Sequence, residues 1–345
     1  MPLLKKEGHY QPFVGDVTKN EIDILLNDLE ITILALEEHK TLPSNNTWKL
    51  LNEMFFSHRP EVELKVCGFH LRPMDLTFTG ILDNVCHFYA DALDDARGYE
   101  NIAGMGRLKT LSVGFLNLQS FEFLEGVTDR LESLFVGSTL SAKPSLLPLK
   151  RFKYLKRLFL EKHVKHIEVL SDLVHLRDLT LHSITLPNLN ILKPLKRLQS
   201  LVMELGSLMD ISSLKGNSKI ASVEFSRVRG LSDLNPLSSL TSLKTLHLES
   251  LPGVRSIPSL SGLKKLKEFS IINLTGVEDF GFLYSLPSLE ALRFVQGEKG
   301  HNYETVELNR LMRIKGLKGA FIGFNSARMN RQCEDLMKKM GIDEL

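Results

Sequence analysis

Four histidines lie close together in the segment EKHVKHIEVLSDLVHLRDLTLHS: His163, His166, His175 and His182. Imidazole is a common metal ligand, and the spacing of His163 and His166 would allow both to bind one ion from a helical turn. No cysteine or carboxylate set nearby completes a zinc pattern. A metal-dependent enzyme or enzyme accessory that uses the region from His163 to His182 is therefore the alternative interpretation of this sequence.

The feature that must position these residues is a repeated phrase: an apolar residue, two others, an apolar residue, one other, and an apolar residue. Its twelve middle residues are Leu64, Phe88, Leu111, Leu134, Leu158, Leu179, Leu201, Val223, Leu246, Phe269, Leu292 and Ala320. They are 21 to 24 residues apart, except for 28 before Ala320. The clearest copies are LTSLKTLHLESL, LKKLKEFSIINL and LPSLEALRFVQG. This pattern resembles the leucine-rich-repeat superfamily, in particular its short SDS22-like and internalin-like repeats, which implies a bacterial source.

The phrase has a physical basis that does not depend on the resemblance. In a strand, Leu246 and Leu248 point to one face while Thr245, His247 and Glu249 point to the other. Apolar residues at three-residue steps between the phrases predict return arms of short helical turns, as from Val254 to Leu266. We therefore expect an α/β right-handed leucine-rich-repeat solenoid, with a parallel sheet on the concave face and helical caps.

Three regions are expected. Residues 1–60 lack the repeat, and Trp48, Leu51 and Phe55 indicate an amphipathic helix in an N-terminal helical cap. Residues 61–325 form the solenoid of about ten to twelve turns. Residues 326–345 form a C-terminal capping helix that begins after Ser326 and ends at Gly341. For the first two turns, a hairpin-like cap made of VELKV and MDLTF is the competing interpretation.

Two local features are also informative. The insertion before Ala320 predicts a longer helix that contains Leu308, Leu311 and Met312. The leucine-rich-repeat pattern usually places Asn three residues after the last strand leucine, but this chain has other residues there, among them His163 and Gly206. The backbone groups at those turns must then be satisfied by other turns or by water.

Composition restricts the class of partner. The formal charge is only +2 and no apolar run is long enough to span a membrane, so neither nucleic acid nor a membrane is the expected partner. The start MPLLKKEGHYQPF is not a secretory signal, and three cysteines fit no disulfide framework, so a cytoplasmic location is expected. No cofactor is expected. Cys333-Glu334-Asp335 is similar to the nucleophile motif of bacterial leucine-rich-repeat ubiquitin ligases, but no room remains for their catalytic domain.

The outward strand positions are the candidate protein-binding residues. They are Tyr89, Phe135, Phe159, Glu161, His182, Glu204, Glu224, His247, Glu249 and Arg293. Aromatic side chains supply anchors at an interface, and charges around them set register and association rate.

The resemblance implies a non-enzymatic scaffold that binds an unidentified protein on its concave face. A host-directed effector, a toxin-neutralising immunity protein and a phosphatase regulator all remain open, as does the oligomeric state.

Overall fold

The structure is a computed structural model that describes residues 2–37, 42–66, 73–140, 143–295, 314 and 316–345. These residues form two compact units, the first ending at Leu176 and the second beginning at Arg177. The predicted helix around Leu308, Leu311 and Met312 lies outside the described residues, as does Cys67.

The first unit is built on seven parallel strands that pair in the order β1-β2-β3-β5-β7-β8-β9. A separate two-stranded sheet pairs β4 with β6. The strand bounds are β1 Tyr10–Phe13, β2 Ile33–Leu36, β3 Glu63–Val66, β4 Met74–Asp75, β5 His87–Leu93, β6 Ala96–Arg97, β7 Thr110–Phe115, β8 Ser133–Val136 and β9 Arg157–Glu161.

The helices of the first unit lie near its beginning. Helix α1, Lys19–Asn27, starts at a capping box in which Thr18 and Glu21 exchange hydrogen bonds. Helix α2, Asn45–Leu50, is capped by Ser44 and continues as a π-helical turn, Leu51–Phe56. The predicted helix around Trp48 is therefore present. Among the described residues, no helix has both the length and the apolar character that crossing a bilayer requires.

The sheet begins earlier in the chain than the sequence analysis expected. Residues 1–60 contain β1 and β2 as well as two helices, and the register aligns Gln11 with Leu34 and Leu34 with Leu64. Strand β3 pairs in parallel with both β2 and β5, so the alternative of a hairpin made of VELKV and MDLTF is wrong. The physical reason is that Leu34, like Leu64, is fully buried and extends the same core.

The second unit contains eight parallel strands in the order β10-β12-β14-β15-β16-β17-β18-β19, and β11 pairs with β13 beside them. The bounds are β10 Asp178–His182, β11 Thr185–Asn188, β12 Ser200–Glu204, β13 Ser207–Asp210, β14 Ser222–Ser226, β15 Thr245–Glu249, β16 Glu268–Ile272, β17 Ala291–Val295, β18 Gly319–Gly323 and β19 Asp343–Glu344. Helix α3, Ala327–Met340, runs from the Ser326 cap to Gly341, whose φ is 66°.

The core confirms the predicted phrase. All twelve middle residues lie in strands, and none of them is more than 3% exposed. Within each unit they are register partners, as Leu111 is of Leu134 and Leu246 is of Phe269. Stacking these apolar side chains removes them from water, which one repeat alone could not do.

The return arms are short 3₁₀ turns in most repeats, because i to i+3 spacing brings two apolar residues onto the same side. Their bounds are Thr77–Ile81, Tyr99–Gly104, Glu122–Glu125, Leu147–Arg151, Ile167–Asp172, Asn190–Leu192, Ser212–Leu214, Asn235–Ser239 and Gly281–Ser285. The arm from Val254 to Leu266 contains only turns and irregular backbone, so the helical turns predicted there are not formed. Its apolar residues Val254, Leu260, Leu263 and Leu266 are nevertheless fully buried.

The strands end in turns whose backbone N–H groups find main-chain hydrogen-bond acceptors. The residue after six of the strands has a positive φ: Lys162, Ser183, Leu205, Arg227, Ser250 and Asn273. In the second unit, each of these N–H groups donates to the last carbonyl of the next strand, as Leu205 does to Ser226 at 3.0 Å and Ser250 does to Ile272 at 2.9 Å. We call this row of hydrogen bonds the main-chain ladder. It satisfies backbone groups in turns that mostly lack an asparagine.

Candidate functional site

A row of three aromatic rings lies on the outward face of the first unit. Tyr89 on β5, Phe135 on β8 and Phe159 on β9 are all half-buried. The rings of Phe135 and Phe159 are stacked with centroids 6.3 Å apart, and Tyr89 lies 6.2 Å from Phe135. Ser112 on the intervening strand is small enough for Tyr89 and Phe135 to approach one another across it. Phe135 and Phe159, the two predicted anchors, therefore lie with Tyr89 in one continuous row of rings.

The aromatic row borders a cavity of about 710 Å³, which we call the aromatic groove. Its lining consists of Tyr89, Asp94, Ser112, Gly114, Leu116, Phe135, Gly137, Ser138, Phe159 and Glu161. The structure thus brings four predicted residues into one groove, namely Tyr89, Phe135, Phe159 and Glu161. Asp94, Leu116 and Ser138 also line the groove but were not predicted, because they follow the strands, where the two-residue alternation no longer applies.

The outward face of the second unit is polar instead. Glu224 on β14 and His247 on β15 are register partners, and the Nε2 atom of His247 lies 4.0 Å from Oε1 of Glu224 and 3.4 Å from Oε2 of Glu249. Glu249 also accepts hydrogen bonds from the Ser226 hydroxyl at 2.9 Å and from the Arg227 guanidinium at 3.2 Å. Arg227 lies just beyond the strand and was not among the predicted site residues.

The two glutamates of this cluster have opposite electrostatic environments. Burial raises the pKa of Glu224, and the neighbouring carboxylates of Glu204 and Glu249 raise it further against the attraction of His247. Burial also acts to raise the pKa of Glu249, but its hydrogen bonds with Ser226, His247 and Arg227 outweigh burial and lower that pKa. The cluster therefore holds one carboxylate firmly ionised beside another that takes up a proton more readily.

The remaining predicted residues are also in the second unit. His182 on β10 and Glu204 on β12 are register partners at the ends of their strands. The Arg293 guanidinium on β17 lies over the Phe321 ring of β18, 5.4 Å from its centroid. Arg293 is thus engaged by its own neighbour rather than joined to the cluster of Glu224, His247 and Glu249.

No family model matches this chain, and no curated protein matches it by sequence. Among solved structures, an internalin from Listeria monocytogenes is similar over 92% of this chain and 87% of its own, with a TM-score of 0.62 and 20% identity. TLR13 from a TLR13-ssRNA13 complex is similar over 85% of this chain and 43% of its own, with a TM-score of 0.55 and 16% identity. This chain has the leucine-rich-repeat fold. The likeness shows the fold alone.

The fold explains the positions of the clustered histidines. His163 occupies a turn position where leucine-rich repeats usually carry asparagine, and its Nε2–H donates to the carbonyl of Gly137 at 3.0 Å. Its ring forms a T-shaped pair with that of Phe121, with centroids 4.8 Å apart. Burial lowers the pKa of His163, which favours the neutral form. The Nδ1 atom of His166 lies 2.7 Å from the Ser145 hydroxyl. His163 and His166 therefore have separate structural contacts.

The possible nucleophile at the end of the leucine-rich-repeat fold is buried. Cys333 lies on the buried face of helix α3 and is 1% exposed. Burial, with a smaller contribution from Glu334, raises the pKa of the thiol to about 12. Because the thiolate is the nucleophile, the neutral thiol of Cys333 is poorly suited to attack a substrate. Within the described ranges, no three His, Cys, Asp or Glu side chains are grouped to hold a metal.

The opposite pKa shifts of Glu224 and Glu249 predict opposite effects of the same substitution. Glu224→Gln is expected to raise the free energy of unfolding at pH 7 by up to about 1 kcal/mol, since it removes a charge that burial disfavours. Glu249→Gln is expected to lower it by about 1 kcal/mol, since the hydrogen bonds of three side chains to an ionised carboxylate are weakened. Urea titrations from pH 4 to 8 would measure both.

The pH dependence of the two variants is also predicted. Folding raises the pKa of Glu224 above its ordinary value of 4.5. Its protonated form is compatible with burial, so the fold becomes less stable as the pH rises through the raised pKa and Glu224 ionises. The gain from Glu224→Gln should therefore shrink toward pH 4. The contribution of Glu249 is present above pH 4.5 and is lost as the pH falls through its lowered pKa. Effects of the same sign in both variants would contradict this electrostatic assignment.

Proposed function

We propose that this protein is a non-enzymatic scaffold that binds a protein partner through the outward face of its strands. The observation that supports this proposal is the row of Tyr89, Phe135 and Phe159 along the aromatic groove. Single apolar side chains on a surface are common and need no explanation. Three half-buried rings in contact along one groove are the arrangement that supplies anchor residues at protein interfaces.

The polar residues of the second unit form a separate proposed contact surface. It comprises His182, Glu204, Glu224, His247, Glu249 and Arg293. Charged residues of this kind affect association rate and salt dependence more than affinity. The partner that we propose is a protein rather than nucleic acid or a membrane, because the formal net charge is only +2 and the anchors are aromatic.

The metal-enzyme alternative has no comparable support. His163 and His166, the pair with metal-binding spacing, are engaged by Gly137 and Ser145 respectively. The proposed role is binding without catalysis, and an effector, an immunity protein and a phosphatase regulator remain its possible forms. The proposed cytoplasmic location is supported by the free, buried thiols of Cys86 and Cys333, which suit a reducing compartment.

The aromatic anchors give a direct test. The double variant Phe135→Ala and Phe159→Ala is expected to weaken binding of a purified partner by at least about 2 kcal/mol, or about 30-fold in Kd. Isothermal titration calorimetry would measure the change after the partner has been isolated from the source cytosol. Thermal unfolding followed by circular dichroism would confirm that the variant is folded.

A matched control is available in the same unit. Tyr154→Ala removes an aromatic side chain that is 58% exposed and lies outside the aromatic groove. We expect this variant to bind the partner within about threefold of the parent, a change below about 1 kcal/mol. If the double variant stays folded and binds as tightly as the parent, the aromatic groove is not the binding site.

A further inference from the structure

The described residues that line the aromatic groove carry charge of one sign. Among them, Asp94 and Glu161 have carboxylates, and none is a lysine or arginine. In a groove that is partly closed from water, a carboxylate acts through a lower dielectric than it would on an open surface. The lining therefore favours a cation that also has flat apolar surface to set against the aromatic row.

The rings provide that surface. The rings of Tyr89, Phe135 and Phe159 form a row along the groove, with centroids 6.2 to 6.3 Å apart. The ring planes of Phe135 and Phe159 are inclined by only 28°. A guanidinium group placed over such a face within about 6 Å of a centroid is attracted by the ring quadrupole. The same group is planar, so it also stacks well.

Small residues lie beside this row. Gly114 on β7 and Gly137 just after β8 line the groove, and a Cβ atom at Gly137 would lie 3.1 Å from the Cα atom of Gly114. Ser112 adds only a hydroxyl group on the same face. Small residues therefore line the groove beside the rings, and its volume of about 710 Å³ accommodates one long, flat side chain.

Glu161 is held in place at the end of β9. Its side chain is 23% exposed, and its Oε2 atom accepts the Ser138 N–H at 3.2 Å. Its Oε1 atom lies 3.7 Å from the Nζ atom of Lys162, whose side chain is 57% exposed. A mostly exposed lysine at this distance forms a weak ion pair, so a better-placed cation can displace Lys162.

From this geometry we propose that the aromatic groove binds an arginine side chain of the protein partner. The guanidinium would stack on the aromatic row and donate hydrogen bonds to the carboxylate of Glu161. Arginine fits better than lysine because its planar fork both stacks on aromatic rings and donates two hydrogen bonds to one carboxylate. This inference rests on the proposed function, since it names the chemistry of the partner at the same groove.

Three capped tripeptides test the inference on the full chain: acetyl-Gly-Arg-Gly-amide and its lysine and leucine counterparts. Their Kd values would be measured from ¹H–¹³C NMR shifts of the phenylalanine rings. We expect the arginine peptide to shift the Phe135 and Phe159 rings saturably, and to bind at least about tenfold more tightly than the leucine peptide and more tightly than the lysine peptide. Equal or tighter binding of either counterpart, or no saturable ring shift, would overturn the inference.

Variants of the charged residues sharpen the test. Glu161→Gln should weaken the arginine peptide by about tenfold and leave the leucine peptide unchanged. Lys162→Met removes one competing cation and should tighten binding of the arginine peptide by about threefold. Glu168→Gln, an exposed glutamate of the same unit outside the groove, is the control and should change nothing. Unchanged arginine binding in the folded Glu161→Gln variant would overturn the role of that carboxylate.

The outcomes separate this inference from the proposed function. If the leucine peptide binds best while the double variant Phe135→Ala and Phe159→Ala loses the partner, the groove holds an apolar anchor and only the arginine inference fails. If the double variant keeps its full affinity for the partner, the proposed function fails at this groove whichever peptide binds.

Discussion

Leu179→Asp is expected to lower the free energy of unfolding by at least about 3 kcal/mol. Leu179 is 1% exposed on β10 and is the register partner of Leu201. Truncating a buried leucine costs about 2 to 5 kcal/mol, and an unpaired carboxyl group in the same place adds its own desolvation cost. Because each repeat is supported by its neighbours, amide exchange should accelerate in β12 as well as in β10.

The neighbouring residue supplies the control. Thr180 lies on the outward face of the same strand and is half-buried. Thr180→Asp introduces the same carboxylate where water can reach it, so we expect a change within about 1 kcal/mol. Urea denaturation of the two variants and hydrogen exchange by mass spectrometry would decide the matter. Equal destabilisation by both substitutions would show that the assigned inward and outward faces are wrong.

The second large effect is expected at a turn. Gly206 follows Leu205 directly, and a Cβ atom at Gly206 would lie 2.0 Å from the carbonyl oxygen of Ile184. That oxygen accepts the Ser207 N–H at 3.3 Å, so neither backbone can move without losing a hydrogen bond. Gly206→Ala is therefore expected to lower the free energy of unfolding by about 3 kcal/mol or more, measured by urea denaturation.

Gly262→Ala is the matched control for this substitution. A Cβ atom at Gly262 would meet no atom within 4 Å. Alanine there is expected to be neutral or to stabilise by up to about 1 kcal/mol, because it restricts the unfolded chain. If Gly206→Ala were as harmless as Gly262→Ala, the close approach of the two turns at Ile184 would be disproved.

The strands were predictable wherever the repeated phrase is intact, because burial on one face of a strand leaves a strict two-residue alternation. Strand β1 breaks that rule. Gln11 stands at the middle position that an apolar residue usually occupies, and it is buried at 6% exposure with its amide bonded to the carbonyls of Leu4 and Pro12. No apolar pattern marks such a strand. Strand β2 did carry the phrase, in Ile31, Leu34 and Leu36, and could have been found.

The sequence predicts which side chains of the candidate site point outward, but it does not predict which of them touch one another. Alternation predicts that Phe135, Phe159 and Glu161 point outward, and adjacent strands predict that the two rings lie near one another. That Tyr89 joins them depends on the small Ser112 between. The groove also depends on Asp94 and Ser138, which lie beyond the regular alternation, where sequence periodicity has nothing to say.

The main-chain ladder at the strand ends has a consequence for how such a protein changes over generations. Its hydrogen bonds need no particular side chain, and the turn residues with positive φ include leucine, lysine, arginine and serine. Each of these bears a conformational strain of about 1 kcal/mol, which the ladder and the stacked core tolerate. Substitutions can therefore replace the asparagine that leucine-rich repeats usually carry at these turns while the fold is kept.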